Sequence, residues 1–169
     1  GNGYDLNWSQ FCFESLAMPL PASLQERLKI PVIAAPMFLV SGPELVIAAC
    51  KAGVIGSFPA MNCRAGEEFA DWMALVDGAT GPDTAPYAVN FGLARMHGDR
   101  MAADLETCRR YKPEIIITAV GNPAPVVDDI HAWGGLVLHD VTTIQHARKA
   151  VDAGVDGLVL VCAGAGGHG

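Results

Sequence analysis

The sequence predicts an α/β protein organised around a parallel sheet. Three observations carry that prediction. Short apolar runs recur along the chain, among them Ile115-Ile116-Ile117-Thr118 and Leu158-Val159-Leu160-Val161, and their unbroken hydrophobicity suits strands buried on both faces. Amphipathic stretches of helical period separate these runs. Glycine punctuates the junctions, as at Ala52-Gly53 and Ala153-Gly154. Strand and helix in regular alternation mean a single sheet joined by right-handed crossovers.

The elements follow in order. Val32-Ile33-Ala34-Ala35, bounded by Pro31 and Pro36, is the first strand. Ser41-Gly42-Pro43-Glu44 opens the first helix, with Ser41 as its N-cap and Pro43 in the first turn. Leu45, Val46, Ala49 and Cys50 give that helix its apolar stripe, and Gly53 suits the left-handed position at its end. Val54-Ile55-Gly56-Ser57 is the second strand, residues 67–76 a helix closed by Asp77-Gly78, and residues 78–86 a polar loop rich in glycine and proline. Tyr87-Ala88-Val89-Asn90-Phe91 is the third strand. Residues 98–111 are helical, with Met101, Leu105 and Cys108 along one stripe. Residues 115–118 make the fourth strand, 123–133 a helix, Leu136-Val137-Leu138 the fifth strand, 143–153 a helix and 158–161 the sixth strand. A run of glycines follows, Ala163-Gly164-Ala165-Gly166-Gly167-His168-Gly169.

Two architectures fit this rhythm: an open doubly wound sheet, or a (β/α)8 TIM barrel, which takes about 250 residues. At 169 residues the chain keeps the pace of a barrel and reads as one truncated after about six βα units. Residues 18–169 form one partial-barrel domain. Residues 1–17 stand apart as an N-terminal extension ahead of Met18, a candidate initiator.

Composition narrows the function. Hydrophobic residues make up 51% and charged residues 17%, which excludes a disordered chain. A net charge of −7 argues against binding nucleic acid or an anionic membrane. Five cysteines, at positions 12, 50, 63, 108 and 162, form no C-x-x-C pair and read as reduced thiols of a cytoplasmic protein. The five histidines form no metal-binding cluster, so no metal is expected. Residues 30–40 are the longest strongly apolar run, too short to span a bilayer, and residues 1–17 lack the basic start of a signal peptide.

Residues able to carry chemistry gather at the predicted C-terminal ends of the strands: Pro36-Met37, Asn90, Thr118 with Gly121-Asn122, His139-Asp140 and the terminal glycines. In parallel α/β folds this edge holds the ligand. Gly164 to Gly169 satisfies G-x-G-x-x-G, but no helix or ribose-binding acid follows it, so a dinucleotide reading is weak. From composition alone, His168 is either a base near neutral pH or a solvent-exposed terminal histidine. Cys162 reads as a small buried apolar residue, and His146 as a solvent-facing helix residue. One of His139 and Asp140 faces the site and the other the next helix; the sequence does not say which.

Ile30-Pro31-Val32-Ile33-Ala34-Ala35-Pro36-Met37, Val89-Asn90, and Gly154-Val155-Asp156-Gly157 running into Ala165-Gly166-Gly167-His168 resemble the nitronate monooxygenases, formerly called 2-nitropropane dioxygenases. These are FMN-dependent TIM-barrel enzymes, and the resemblance covers residues 20–169. It implies that Ala35, Pro36 and Met37 border the flavin through their backbone. By the same resemblance, Asn90 hydrogen-bonds the flavin or its ribityl chain, and Gly166 and Gly167 approach it. His168 would be the catalytic base or would orient the substrate. The implied reaction takes an alkyl nitronate, or a nitroalkane, and O2 to a carbonyl compound and nitrite. Two positions depart from relatives: Asp140, where some carry a lysine, and Val161, where some carry an acid. The FMN-dependent enoyl-acyl-carrier-protein reductases share the same motifs and are the alternative.

A flavin-free aldolase or isomerase barrel would need a lysine or carboxylate at a strand end. Lys29, Lys51, Lys112 and Lys149 all fall elsewhere. A third expectation is a partial barrel that is inactive without further chain, its bare sheet edges covered by a partner or a second copy.

Overall fold

A computed structural model of the chain describes residues 21–94 and 98–166. A short helix α1 (Ala22–Gln25) leads into five strands and five longer helices in alternation: α2 (Pro43–Ala52), β1 (Gly56–Pro59), α3 (Gly66–Ala79), β2 (Tyr87–Gly92), α4 (Asp99–Tyr111), β3 (Ile115–Ala119), α5 (Ala124–Ala132), β4 (Leu136–Val141), α6 (Ile144–Asp152) and β5 (Gly157–Leu160). A 3-10 turn, Ala60–Asn62, follows β1. The predicted first strand is reduced to a parallel bridge between Ile33 and Ile55. Backbone hydrogen bonds flank it, Ala34 N–H to Ile55 carbonyl (2.8 Å) and Ile55 N–H to Val32 carbonyl (3.1 Å). Pro31 and Pro36, which lack N–H donors, bracket the segment and leave it little room to extend a ladder.

All strand pairs are parallel, and the sheet order β1-β2-β3-β4-β5 is the chain order. A doubly wound sheet reverses direction partway; this one does not. With right-handed crossovers, sequential order places every helix on the same side of the sheet. Two separate cores agree. On the helix side, Phe58, Tyr87, Val89, Phe91, Ile116 and Val137 pack with Val46, Phe69, Met73, Leu105 and Ile130. On the other face, Ile55, Ala88, Ile115 and Ile117 pack with Leu24, and Ile33, Leu136 and Leu138 join them. The sheet is therefore the arc of a (β/α)8 barrel, with an outer aromatic layer and an inner aliphatic one.

The local chemistry is consistent with these elements. Pro43 occupies the first turn of α2, and Gly53 ends it with φ 85°, as the sequence predicts. Ser41 does not cap α2; Gly42 takes that position. A Cβ on Gly56 would collide with the Val46 backbone, so glycine lets α2 lie close on β1. Cys50, Cys63 and Cys108 are buried and free, and burial pushes the Cys63 thiol up to about 12. Cys162, predicted to be buried, is exposed. At the N-terminal ends of the strands, Arg27 forks onto Glu114 at 2.7 and 2.9 Å and donates to the Thr84 carbonyl at 2.8 Å, pinning the segment after α1 across the inner face.

Phe69 is fully buried, with its ring 6.1 Å from Phe58 and 6.3 Å from Phe91. Phe69→Ala is expected to cost about 3–5 kcal/mol in a denaturant unfolding curve, because it would leave a cavity between the Phe58 and Phe91 rings.

Candidate functional site

Successive residues of a strand alternate between the two faces, so the register decides which rim side chains look inward. Asn90 follows Ala88 by two and shares its inner face; it pairs in register with Pro59 on one side and Ile117 on the other. Its amide nitrogen donates to the Ile117 carbonyl at 3.1 Å, and its amide oxygen has no partner among the described residues. The side chain is thus held by its own sheet while keeping an acceptor for a ligand.

The same rule settles the pair at the end of β4. His139 alternates with Val137 of the helix-side core, is 5% exposed and shares a 2.8 Å hydrogen bond from Nδ1 to the Thr118 hydroxyl. Burial holds its imidazole below the ordinary histidine range, so it is a neutral core residue. Asp140 alternates with Leu138 of the inner face and pairs in register with Val159. Burial raises its carboxyl above the usual carboxylate range. Asp140 is therefore the rim residue and His139 the structural one. Thr118, also predicted near the site, lies with His139 on the outer face, where its hydroxyl donates to the Leu138 carbonyl.

Ala35, Pro36 and Met37 leave the bridge at Ile33 and enter a rim loop of residues 37–41. Ala35 and Met37 are exposed there, while Ser41 is buried. Ser41 accepts the Met37 N–H on its hydroxyl at 3.0 Å and donates its own N–H to the Met37 carbonyl at 3.0 Å. Asn62 closes the loop from the other side. Its nitrogen donates to the Met37 and Ser41 carbonyls (3.1 and 2.9 Å), and its oxygen accepts the Leu39 N–H (2.9 Å). Sequence reasoning missed Asn62. A single polar residue after a strand end has no period, and its only signal is its place on the ligand-bearing edge.

Gly166 lies beyond β5, at the far end of the sheet order from Ala35, and a Cβ there would meet nothing within 4 Å. No packing within the described residues requires glycine at that position. Gly167 and His168 lie outside the described residues, as does the N-terminal extension of residues 1–17. His146 is exposed, as predicted. Among the described residues no group of His, Cys, Asp and Glu could hold a metal ion, and no helix is long and apolar enough to cross a membrane.

A sequentially ordered parallel sheet with its helices outside defines a protein of the barrel class, a fold in which ligands bind at the C-terminal rim of the strands. The model of the nitronate monooxygenase family matches residues 23–169, and the chain belongs to that family. Among solved structures it is similar to FabK from Thermotoga maritima, with a TM-score of 0.70 at 20% identity, over 82% of this chain and 42% of that one. It is also similar to nitroalkane oxidase from Streptomyces ansochromogenes, with a TM-score of 0.67 at 22% identity, over 82% of this chain and 48% of that one. These likenesses carry the fold, and the chain spans less than half the length of either protein. A search of curated protein sequences returns no match.

Asp140 gives a pH test of the inner rim. A carboxyl whose folded pKa is raised favours its neutral form, so its contribution to stability is present below the unfolded value and lost as pH rises through the folded one. Asp140→Asn is expected to melt at a higher temperature than the native protein at about pH 7. The gap should close as pH falls below about 4 in a series of thermal melts.

Proposed function

We propose that this chain carries the flavin-facing part of an FMN-dependent oxidoreductase that oxidises alkyl nitronates with O2, giving a carbonyl compound and nitrite. The observation that supports the reading is the rim of a chain in this family: the exposed residues Ala35 and Met37 and the half-held Asn90 amide stand at the C-terminal edge of the sheet, the edge at which parallel α/β barrels bind their ligands. FMN, when bound, supplies the redox chemistry.

The residues present suit that cofactor. Backbone groups at Ala35, Pro36 and Met37 would border the ring, and the Asn90 oxygen would accept from a ring N–H or a ribityl hydroxyl. The open space at Gly166 fits close approach of a flat group, and Gly167 is assigned the same role. Asp140 stands where some relatives carry a lysine. Burial raises its carboxyl above the usual carboxylate range, and in its ionised form it would repel a negatively charged reduced flavin. His168 is assigned as the base that removes the α-proton of a neutral nitroalkane, a task suited to an imidazole near neutral pH. A nitronate has already lost that proton and needs no base.

The protein is expected to bind FMN and to release nitrite from an alkyl nitronate. Nitrite release with no reductant added separates this reading from an enoyl-acyl-carrier-protein reductase, which needs an external hydride donor to reduce its flavin. His168→Ala should lower the rate on neutral nitroalkane by about 10²–10⁴-fold and spare the nitronate reaction. Full nitroalkane activity in that variant would remove His168 from the role of base.

A further inference from the structure

The rim loop of residues 37–41 poses a physical problem. Met37, Phe38, Leu39 and Val40 are 43%, 60%, 77% and 64% exposed, so packing within the described residues does little to fix four consecutive apolar side chains. Leu39 also sits at φ 61°, a left-handed conformation that a residue with a Cβ adopts at a cost. Left to itself, such a segment would relax and sample many conformations. Here it is held by hydrogen bonds, and one side chain outside the loop supplies three of them: Asn62, to the Leu39 N–H and to the Met37 and Ser41 carbonyls.

Asn62 is itself anchored. It ends the 3-10 turn Ala60–Asn62, and the carbonyls of Ala60 and Cys63 on either side accept from Arg100 Nη2 at 3.3 and 3.2 Å. Arg100 Nε donates to Asp104 at 2.7 Å, and Asp104 is fully buried with its second oxygen unpartnered among the described residues. A line of contacts therefore runs from the helix layer at α4 through the turn to the rim loop. This side chain holds an exposed, strained, apolar loop in one shape, directly after the Ala35–Met37 backbone.

We propose that Asn62 is a positioning residue for the cofactor: it holds residues 37–41 in a conformation whose polar groups at Met37 are spent within the loop, so that the Met37 main chain can lie against the flat face of the flavin. This rests on the FMN reading given above. Asn62 acts through the Met37, Leu39 and Ser41 backbone and is assigned no contact with the flavin itself.

The test uses the full chain with Asn62→Asp and Asn62→Ala. The aspartate keeps the size and the acceptor for Leu39 but sets an oxygen against two carbonyls; the alanine removes all three bonds. Three quantities are read: the thermal midpoint, amide hydrogen exchange at Leu39, and FMN affinity with the visible spectrum of the bound flavin. Expected are a midpoint near that of the native chain and Leu39 exchange about tenfold faster in the alanine variant. FMN should bind about tenfold more weakly in both variants, with a bound-flavin spectrum moved towards that of free FMN. Where an Asn62 variant does not fold, Ser41→Ala, which removes the acceptor of the Met37 N–H from the same loop, is read in its place with the same expectation for FMN. Native affinity and spectrum in folded variants would overturn the proposal, whatever the exchange result. A native chain that binds no FMN overturns the cofactor reading and this proposal with it, an outcome told apart because native protein and variants then agree.

Discussion

The two-residue alternation of side chains along five parallel strands is the constraint on which the molecule depends. Sequential order puts all the helices outside, so one strand residue in two must meet a helix and the next must meet the barrel interior. The outer positions have room for large rings, and Phe58, Tyr87 and Phe91 occupy them. The inner positions converge, and they carry Ala88, Ile115, Ile117 and Leu138. On the inner face Ser57, level with Ala88, spends its hydroxyl on the Ala34 carbonyl, while Asn90 and Asp140 stand further along, towards the C-terminal end where the aliphatic layer ends.

That alternation also assigns chemistry to residues that look equivalent in sequence. His139 and Asp140 are neighbours, both titratable and both at the end of one strand. Their faces differ, and with them their roles: the histidine is sealed against Thr118 under the helices, and the acid looks towards the rim. Burial shifts both groups towards their neutral forms, by opposite movements of pKa.

Much of this fold was legible in the sequence. The helix predicted over residues 98–111 is found at Asp99–Tyr111, and that over 143–153 at Ile144–Asp152, because each carries a clear apolar period and clear ends. The strand over 115–118 is Ile115–Ala119, since four β-branched residues in a row leave little choice. The failures share a cause: they depend on partners distant in sequence. The first strand shrank to a bridge because it meets its neighbour only at Ile55, ahead of the short β1, and prolines flank it. Ser41 matches a helix N-cap locally, yet it bonds Met37 once the loop turns back upon it. Asn62 could be found only from the loop it ties, which lies some twenty residues earlier. The site followed the same pattern. The positions of Ala35, Pro36, Met37 and Asn90 on the rim were readable from strand order, whereas the way they are held was not.

The strand order also bears on how such a chain can be assembled. Among the described strands, each of β2 to β5 pairs with the one made just before it. In this respect the sheet resembles a repeat array more than a sandwich, with growth by nearest-neighbour addition. Loop-closure costs stay nearly constant at each step, because every crossover is one helix long. Such a chain can lay down its sheet in the direction of synthesis, each new βα unit finding its template already present. At each stage the strand laid down last would offer the edge on which the next one pairs.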